Sequence, residues 1–258
     1  MTMPVVGMAH HNPTMRAVMR RGLRARGDRV VGCRGPEQLA RIFQAELVDA
    51  VVVGAQAERL DATVSLASRF PRIPVFLAGA FRPDDAPLLL AYRRGGVRAI
   101  LVDGVDDYAA AELVAAHGAS RQRRHALRDA PRLLRLTEPL QLRAWEEVLR
   151  RAGTATTTAQ IAGALRVTRE HLSREFAAGG APNIKRVIDL ARVLCAADLL
   201  ANPGYSVAGV ARVLRFSSPS HLAGCAKRIV GASPTELPRL GLRGVLGRFL
   251  KGRMRSRL

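Results

Sequence analysis

The sequence has few cysteines, almost no lysine and no long apolar run, and each shortage closes off a class of protein. No stretch of about 18 apolar residues occurs in the 258-residue chain, so no membrane-spanning helix is expected. Residues 1–12 lack the basic start and long apolar stretch of a secretory signal. Three scattered cysteines, Cys33, Cys195 and Cys225, form neither a disulfide framework nor a metal-ligand spacing. They read as small apolar side chains in the core of a protein of the reducing cytoplasm. No Ser-His-Asp or Cys-His spacing and no convincing Gly-rich nucleotide motif stands out, so no catalytic residue, cofactor or metal is expected. His10 and His11 are adjacent at a strand end and point in different directions. A metal or pH site and ordinary polar loop residues both fit them, and no third ligand is evident.

Positive charge, in contrast, is abundant. There are 41 basic against 21 acidic residues, a net charge of +20. Residues 1–126 carry 18 basic and 12 acidic groups, and residues 127–258 carry 23 and 9, so the excess is concentrated in the second half. A field of this sign attracts polyanions, nucleic acid first among them. Only Lys185, Lys227 and Lys251 are lysines. An arginine excess of this kind also arises from a GC-rich genome, so charge alone leaves both explanations open. Hydrophobic residues at 48% and charged residues at 24% are ordinary for globular domains. The length allows two of them.

The first half alternates short apolar runs with amphipathic stretches. Strands are expected at 4–9, 29–32, 50–53, 74–78 and 99–102, and helices at 13–26, 36–45, 62–69, 86–94 and 106–117. Strands of four to six apolar residues between helices imply a parallel sheet buried on both faces. Five such repeats predict a flavodoxin-like, doubly wound α/β domain over residues 1–119. Residues 120–139 are basic at first and lack apolar periodicity, as a linker or as an extension of the last helix. From 140 to 240 the pattern is purely helical. The tail, 241–258, is basic, either frayed or holding a short amphipathic helix around 245–250.

Within the helical half, one pattern occurs twice. Ile161, Ala162, Leu165 and Val167 recur 49 residues later as Val210, Ala211, Leu214 and Phe216, and Leu172 recurs 50 later as Leu222. Each copy reads as a short helix, a tight turn and a second helix capped by a hydroxyl: Thr168 in the first, Ser217 or Ser218 in the second. That is the helix-turn-helix arrangement, with a small alanine where the helices cross. An ordinary helical hairpin would explain one copy, but it explains two in register less well. Residues 182–201 form one long helical pattern between them, with Pro182 in its first turn and Asn202-Pro203-Gly204 ending it. Twenty residues make a rod of roughly 30 Å, near the ~34 Å between successive major-groove openings.

The stretch from Ile161-Ala-Gly-Ala-Leu165 through Thr168-Arg-Glu-His-Leu-Ser-Arg-Glu-Phe176, Ala196-Ala-Asp-Leu-Leu200, Val210-Ala211, Arg215-Phe216-Ser217 and Gly231-Ala-Ser-Pro-Thr-Glu-Leu237 resembles the AraC-family DNA-binding domain. The resemblance implies a transcription regulator whose partner is double-stranded promoter DNA. It leaves open a homodimer and, for an activator, contact with RNA polymerase. It also implies that the exposed face of the first recognition helix reads bases through Glu170, Ser173 and Arg174, with Arg169 near phosphate. An Arg174 guanidinium can pair bidentately with guanine O6 and N7. Glu170 can accept from cytosine N4, or simply favour the helix N-terminus. Leu172 and Phe176 are expected in the core. The second copy departs from the family pattern. Its matching exposed positions are Pro219, Ser220, Ala223 and Gly224, and Ala226 stands where the family has an aromatic. Ser218, Ser220 and His221 keep hydrogen-bonding capacity, while Lys227 and Arg228 are candidates for phosphate, so this helix is expected to position more than it reads.

The five βα repeats are similar to response-regulator receiver domains. His10 and His11 stand where that family has an acidic pair, Gly54 where it has the phosphoacceptor aspartate, Ala78 or Gly79 where it has a hydroxyl, and Val102 where it has a lysine. Phosphoryl transfer needs those groups, so aspartyl phosphorylation is not expected. Such a unit would serve dimerisation, partner contact or ligand sensing. A protein-interaction adaptor with a degraded DNA-binding domain is the alternative reading.

Overall fold

A computed structural model describes residues 5–57 and 59–255 and divides the chain into two compact units, the first running to Gln122 and including Asn202–Gly204, the second made of Arg123–Ala201 and the residues from Tyr205 on. In the first, β1 (Val5–Ala9), β2 (Arg29–Gly32), β3 (Val48–Gly54), β4 (Val75–Gly79) and β5 (Val97–Val102) form one sheet of order β2-β1-β3-β4-β5. All four pairings are parallel. This is the flavodoxin-like order that the alternation of apolar runs and helices predicts. Pro4, expected in the first strand, lies outside the described residues.

The inner strands β1, β3 and β4 are buried along their whole length. That explains why they read as unbroken apolar runs rather than alternating ones. Around them are α1 (Pro13–Ala25), α2 (Pro36–Ala45), α3 (Leu60–Ser68), α4 (Ala86–Arg94) and α5 (Ala110–His117). Asn12 starts α1, its side chain accepting from the amides of Thr14 (2.9 Å) and Met15 (3.4 Å). Met15, Met19 and Leu23, four residues apart on α1, join Ala110, Ala111 and Val114 of α5 in a core over Val6, Met8, Val52, Phe76 and Leu101. The two helices come very close: a Cβ on Gly22 would sit 2.5 Å from that of Ala111. On the opposite face, Leu39 of α2 packs against Gly7.

The stretch expected as a linker is ordered. It holds α6 (Ala119–Ala126) and α7 (Ala130–Leu133), with Leu127, Ala130, Leu134 and Leu136 buried. The start of α6 is fixed to the sheet, where the buried Asp49 carboxylate of β3 accepts from the Ser120 amide at 2.5 Å. Gly118, between α5 and α6, permits this approach, since a Cβ there would lie 2.0 Å from Asp49 Oδ2.

The second unit is helical: α8 (Pro139–Arg150), α9 (Thr158–Ala164), α10 (Arg169–Ala177), α11 (Ile184–Leu200), α12 (Val207–Val213), α13 (Pro219–Val230) and α14 (Leu237–Arg255). The long helix α11 starts two residues later than expected, because Asn183 caps it by accepting from the Arg186 amide at 2.9 Å. Pro182 stays outside. Its 17 residues span about 26 Å at ~1.5 Å each. Ile184, Val187, Leu190, Val193 and Leu194 are among its many buried side chains, so α11 is the central rod of this unit. Part of the expected basic tail belongs to the fold. Past a break in helical geometry at Gly241 (φ 59°, ψ −175°), α14 buries Val245, Leu246 and Phe249. Arg186 of α11 lies over the Phe249 ring, 5.3 Å from its centroid. Residues 256–258 lie outside the described residues.

Candidate nucleic-acid interface

The two helical pairs repeat in atomic detail. Thr157 caps α9 and Ser206 caps α12, each hydroxyl accepting from the amide three residues on, Gln160 at 3.3 Å and Gly209 at 3.1 Å. Each helix ends in the same reverse turn. Val167 donates to the Ala162 carbonyl (3.0 Å) and Arg166 to that of Gly163 (3.2 Å). Likewise Phe216 donates to Ala211 (2.8 Å) and Arg215 to Arg212 (3.1 Å). These paired bonds define a Schellman stop, whose pivot residue adopts a left-handed conformation. The pivots are Arg166 (φ 57°) and Arg215 (φ 55°), in a region that non-glycine residues seldom occupy. The next helix is again capped by a hydroxyl: Thr168 accepts from the His171 amide (3.1 Å) and Ser218 from the His221 amide (3.0 Å). The second cap is therefore Ser218, and Ser217 instead places its hydroxyl 2.9 Å from His221 Nδ1.

On α10, Leu172 and Phe176 are buried, whereas Arg169, Glu170, Ser173 and Arg174 are exposed and share the opposite face. These four side chains form the candidate reading face. On α13, Pro219, Ser220, His221, Gly224, Lys227 and Arg228 are exposed, Ser218 is half-buried at the cap, and Leu222 and Ala226 are buried. A Cβ on Gly224 would meet nothing within 4 Å, so that part of the face is bare. Arg228, expected at phosphate, is ion-paired with Asp189 of α11 at 3.1 Å. The Gly-x-Ser-Pro stretch ends α13 and starts α14. Gly231 (φ 63°) is the left-handed cap, and the Ser233 amide and hydroxyl both donate to Glu236, at 2.7 and 2.8 Å. Those bonds hold the Glu236 carboxyl below its ordinary pKa.

The sequence reading missed the side chains that brace these turns. Arg192, buried on α11, donates to the carbonyls of Leu214 (3.1 Å) and Arg215 (3.3 Å). Exposed Arg143 on α8 donates to the Leu165 carbonyl at 3.4 Å. Arg143 precedes Arg192 by the same 49 residues that separate the two turns, so the repeat includes the supporting helix as well. That spacing was available in the sequence. Buried Gln141 was not legible in this way: it donates from Nε2 to the Glu175 carbonyl at the end of α10, at 2.8 Å.

In the first unit, the crevice at the carboxyl ends of the strands holds His10. Its Nδ1 accepts from the Asn12 amide at 3.1 Å, and its Nε2 lies 3.6 Å from the Asp103 carboxylate. Val102, expected at the lysine position, ends β5, and the side chain brought to His10 is the next one, Asp103. A Cβ on Gly54 would lie 3.0 Å from His10 Cδ2, so the imidazole fills the space above the end of β3. Burial lowers the His10 pKa, and neighbouring His11, with its ring 5.1 Å away, lowers it further, while Asp103 opposes. Cys33, Cys195 and Cys225 are all buried, and burial pushes the Cys33 and Cys225 thiols up to about 11. Among the described residues, no three His, Cys, Asp or Glu side chains are grouped to hold a metal ion. No helix of the described residues is long and apolar enough to cross a membrane.

Residues 161–239 match the family model described as a helix-turn-helix domain. Among solved structures, the chain is similar to a response regulator from Thermotoga maritima, at 17% identity and a TM-score of 0.38, covering 45% of this chain and 98% of that one. It is also similar to full-length FixJ from B. japonicum, at 14% identity and a TM-score of 0.39, covering 88% and 98%. A response regulator protein from Burkholderia pseudomallei is 16% identical with a TM-score of 0.37, covering 66% and 97%. No curated protein matches the sequence. The class follows from the sheet order, the repeated turn geometry and the family match: the chain joins a flavodoxin-like α/β unit to a DNA-binding helix-turn-helix domain. Its C-terminal unit is a helix-turn-helix domain of the AraC type.

Proposed function

We propose that the chain is a sequence-specific transcription regulator in which α10 reads bases and α13 grips the sugar-phosphate backbone. The observation that carries this reading is the asymmetry of two copies built on one frame. The exposed face of α10 presents Arg169, Glu170, Ser173 and Arg174, whereas that of α13 is bare at Gly224. Arg174 pairs with guanine and Arg169 with phosphate. On α13, Ser218, Ser220, His221, Lys227 and Arg228 supply backbone contacts, with Arg228 already oriented by Asp189. The rod α11 presents the two helices to successive grooves of promoter DNA.

The N-terminal unit acts without aspartyl phosphorylation, because His10 occupies the space above Gly54 that a reactive carboxylate would need. Dimerisation, partner contact or ligand sensing is then its role. Exposed Leu88, Leu90, Val105 and Tyr108 support a partner-contacting surface. RNA polymerase is a further partner if the protein activates. The proposed domain limits are 1–119, a connecting segment at 120–139, 140–240 and the tail at 241–258, in the cytoplasm.

The test is sequence selection from a random DNA pool, followed by binding measurements across salt. Arg174→Ala is expected to lose base preference at one or two positions. Lys227→Ala is expected to weaken all sequences alike and to reduce the salt slope by about 1. Equal affinity for every sequence would overturn the reading. It would favour the adaptor alternative, which the bare face of α13 motivates.

A further inference from the structure

One helix holds both helices of the second copy through polar contacts. Arg192 on α11 is only 8% exposed. It reaches the carbonyl that ends α12 and that of the left-handed pivot beyond it, Leu214 and Arg215. Those carbonyls are acceptors that a helix end leaves unpaired, and a cation there also complements the helix dipole. The guanidinium lies over the Phe216 ring, its Cζ 3.7 Å from the centroid. That ring packs edge-to-face with exposed His221 in the first turn of α13, with centroids 5.4 Å apart. One turn earlier on α11, Asp189 holds Arg228, further along α13.

We propose that Arg192 is the positioning residue of the second DNA-contacting helix. Through Phe216 and His221 it sets the angle at which α13 leaves the turn. It touches no DNA itself, and its effect is confined to the second copy. The first copy shows why. Its counterpart, Arg143, is exposed, and Val167 stands where Phe216 would be, so no ring links that brace to α10. There α10 is held instead by Gln141. This inference rests on the DNA-binding reading above.

The experiment uses the full chain on a DNA site selected by the wild-type protein, with hydroxyl-radical footprinting at base resolution. Arg192→Met keeps the apolar volume and removes the donors. It is expected to lose backbone protection over the half-site covered by α13 and to weaken binding about ten- to hundredfold. Base preference in the half read by α10 stays unchanged. Arg192→Lys keeps a cation but cannot both bridge two carbonyls and cover the Phe216 ring, so it restores part of the lost protection. Full protection at wild-type affinity in Arg192→Met would overturn the proposal, as would even loss across both halves in a folded protein. Should Arg192→Met fail to fold, Phe216→Leu breaks the relay without leaving carbonyls unpaired. The same one-sided loss is then expected, and an intact footprint overturns the proposal. A wild-type chain that selects no sequence would overturn the DNA-binding reading itself, a result independent of any variant.

Discussion

His10 is a buried imidazole kept neutral by its surroundings. Its Nδ1 already accepts from the Asn12 amide, so a second ring proton would set donor against donor. Asp103 faces the other nitrogen and favours the charged form, but burial outweighs it and the pKa falls. A folded-state pKa below the unfolded value means that the unfolded chain takes up the proton first. The stability His10 contributes is therefore complete above the unfolded imidazole value of about 6.5 and is lost as pH falls through the folded one. Melting temperatures across this range should decline toward acid in the wild type and decline less in His10→Gln. An equal slope in both would show that His10 is not the group responsible. The sequence placed His10 at the end of the first strand but did not show that it meets Asp103. The meeting of His10 and Asp103 is made by the end-on geometry of β1 and β5, 93 residues apart in the chain, and no local pattern encodes it.

At the scale of elements, local chemistry was the best guide. Strands buried on both faces appear as apolar runs, and helices capped by Asn12, Thr168 and Ser218 announce their own starts. The start of α11 was misjudged because Pro182 is a common first-turn residue, yet Asn183 directly after it is the better cap. The braces from Arg192 and Gln141 were illegible, because a donor reaching a distant carbonyl leaves no periodic trace. Gly224 is an open position on the second recognition helix. It lies inside α13, exposed, with open space around its missing Cβ. Gly224→Arg should raise thermal stability by up to about 1 kcal/mol, through helix propensity alone. The same variant should bind DNA more tightly, with a salt slope steeper by about 1. A loss of stability, measured by chemical denaturation, would mean that the face is covered.

For the whole molecule, the second half carries most of the +20 net charge, but not all of that charge is spare. Some of it is structural: Arg186 lies over Phe249, and Arg228 is engaged by Asp189. The tail, where a short amphipathic helix around 245–250 was one of two expectations, gives the helical unit three buried side chains, Val245, Leu246 and Phe249. Five glycines and arginines between 241 and 248 surround this short apolar stretch. Ending the chain after Leu240 should cost several kcal/mol, on the order of 5, from the lost burial on α11. The expected readout is a lower denaturation midpoint of the helical unit. An unchanged midpoint would show that α14 adds nothing to its core.

The 49-residue repeat separates what holds a copy together from what it displays. Hydroxyl caps, left-handed arginine pivots and braces from the preceding helix all bond backbone within the copy, so they do not depend on the residues that α10 and α13 display. One copy can then lose its vocabulary while keeping its grammar. On the DNA-binding reading, the operators of such a protein are lopsided, with a few fixed bases at one end and a stretch at the other that tolerates nearly any sequence. A search of promoters for two equal half-sites would pass over them.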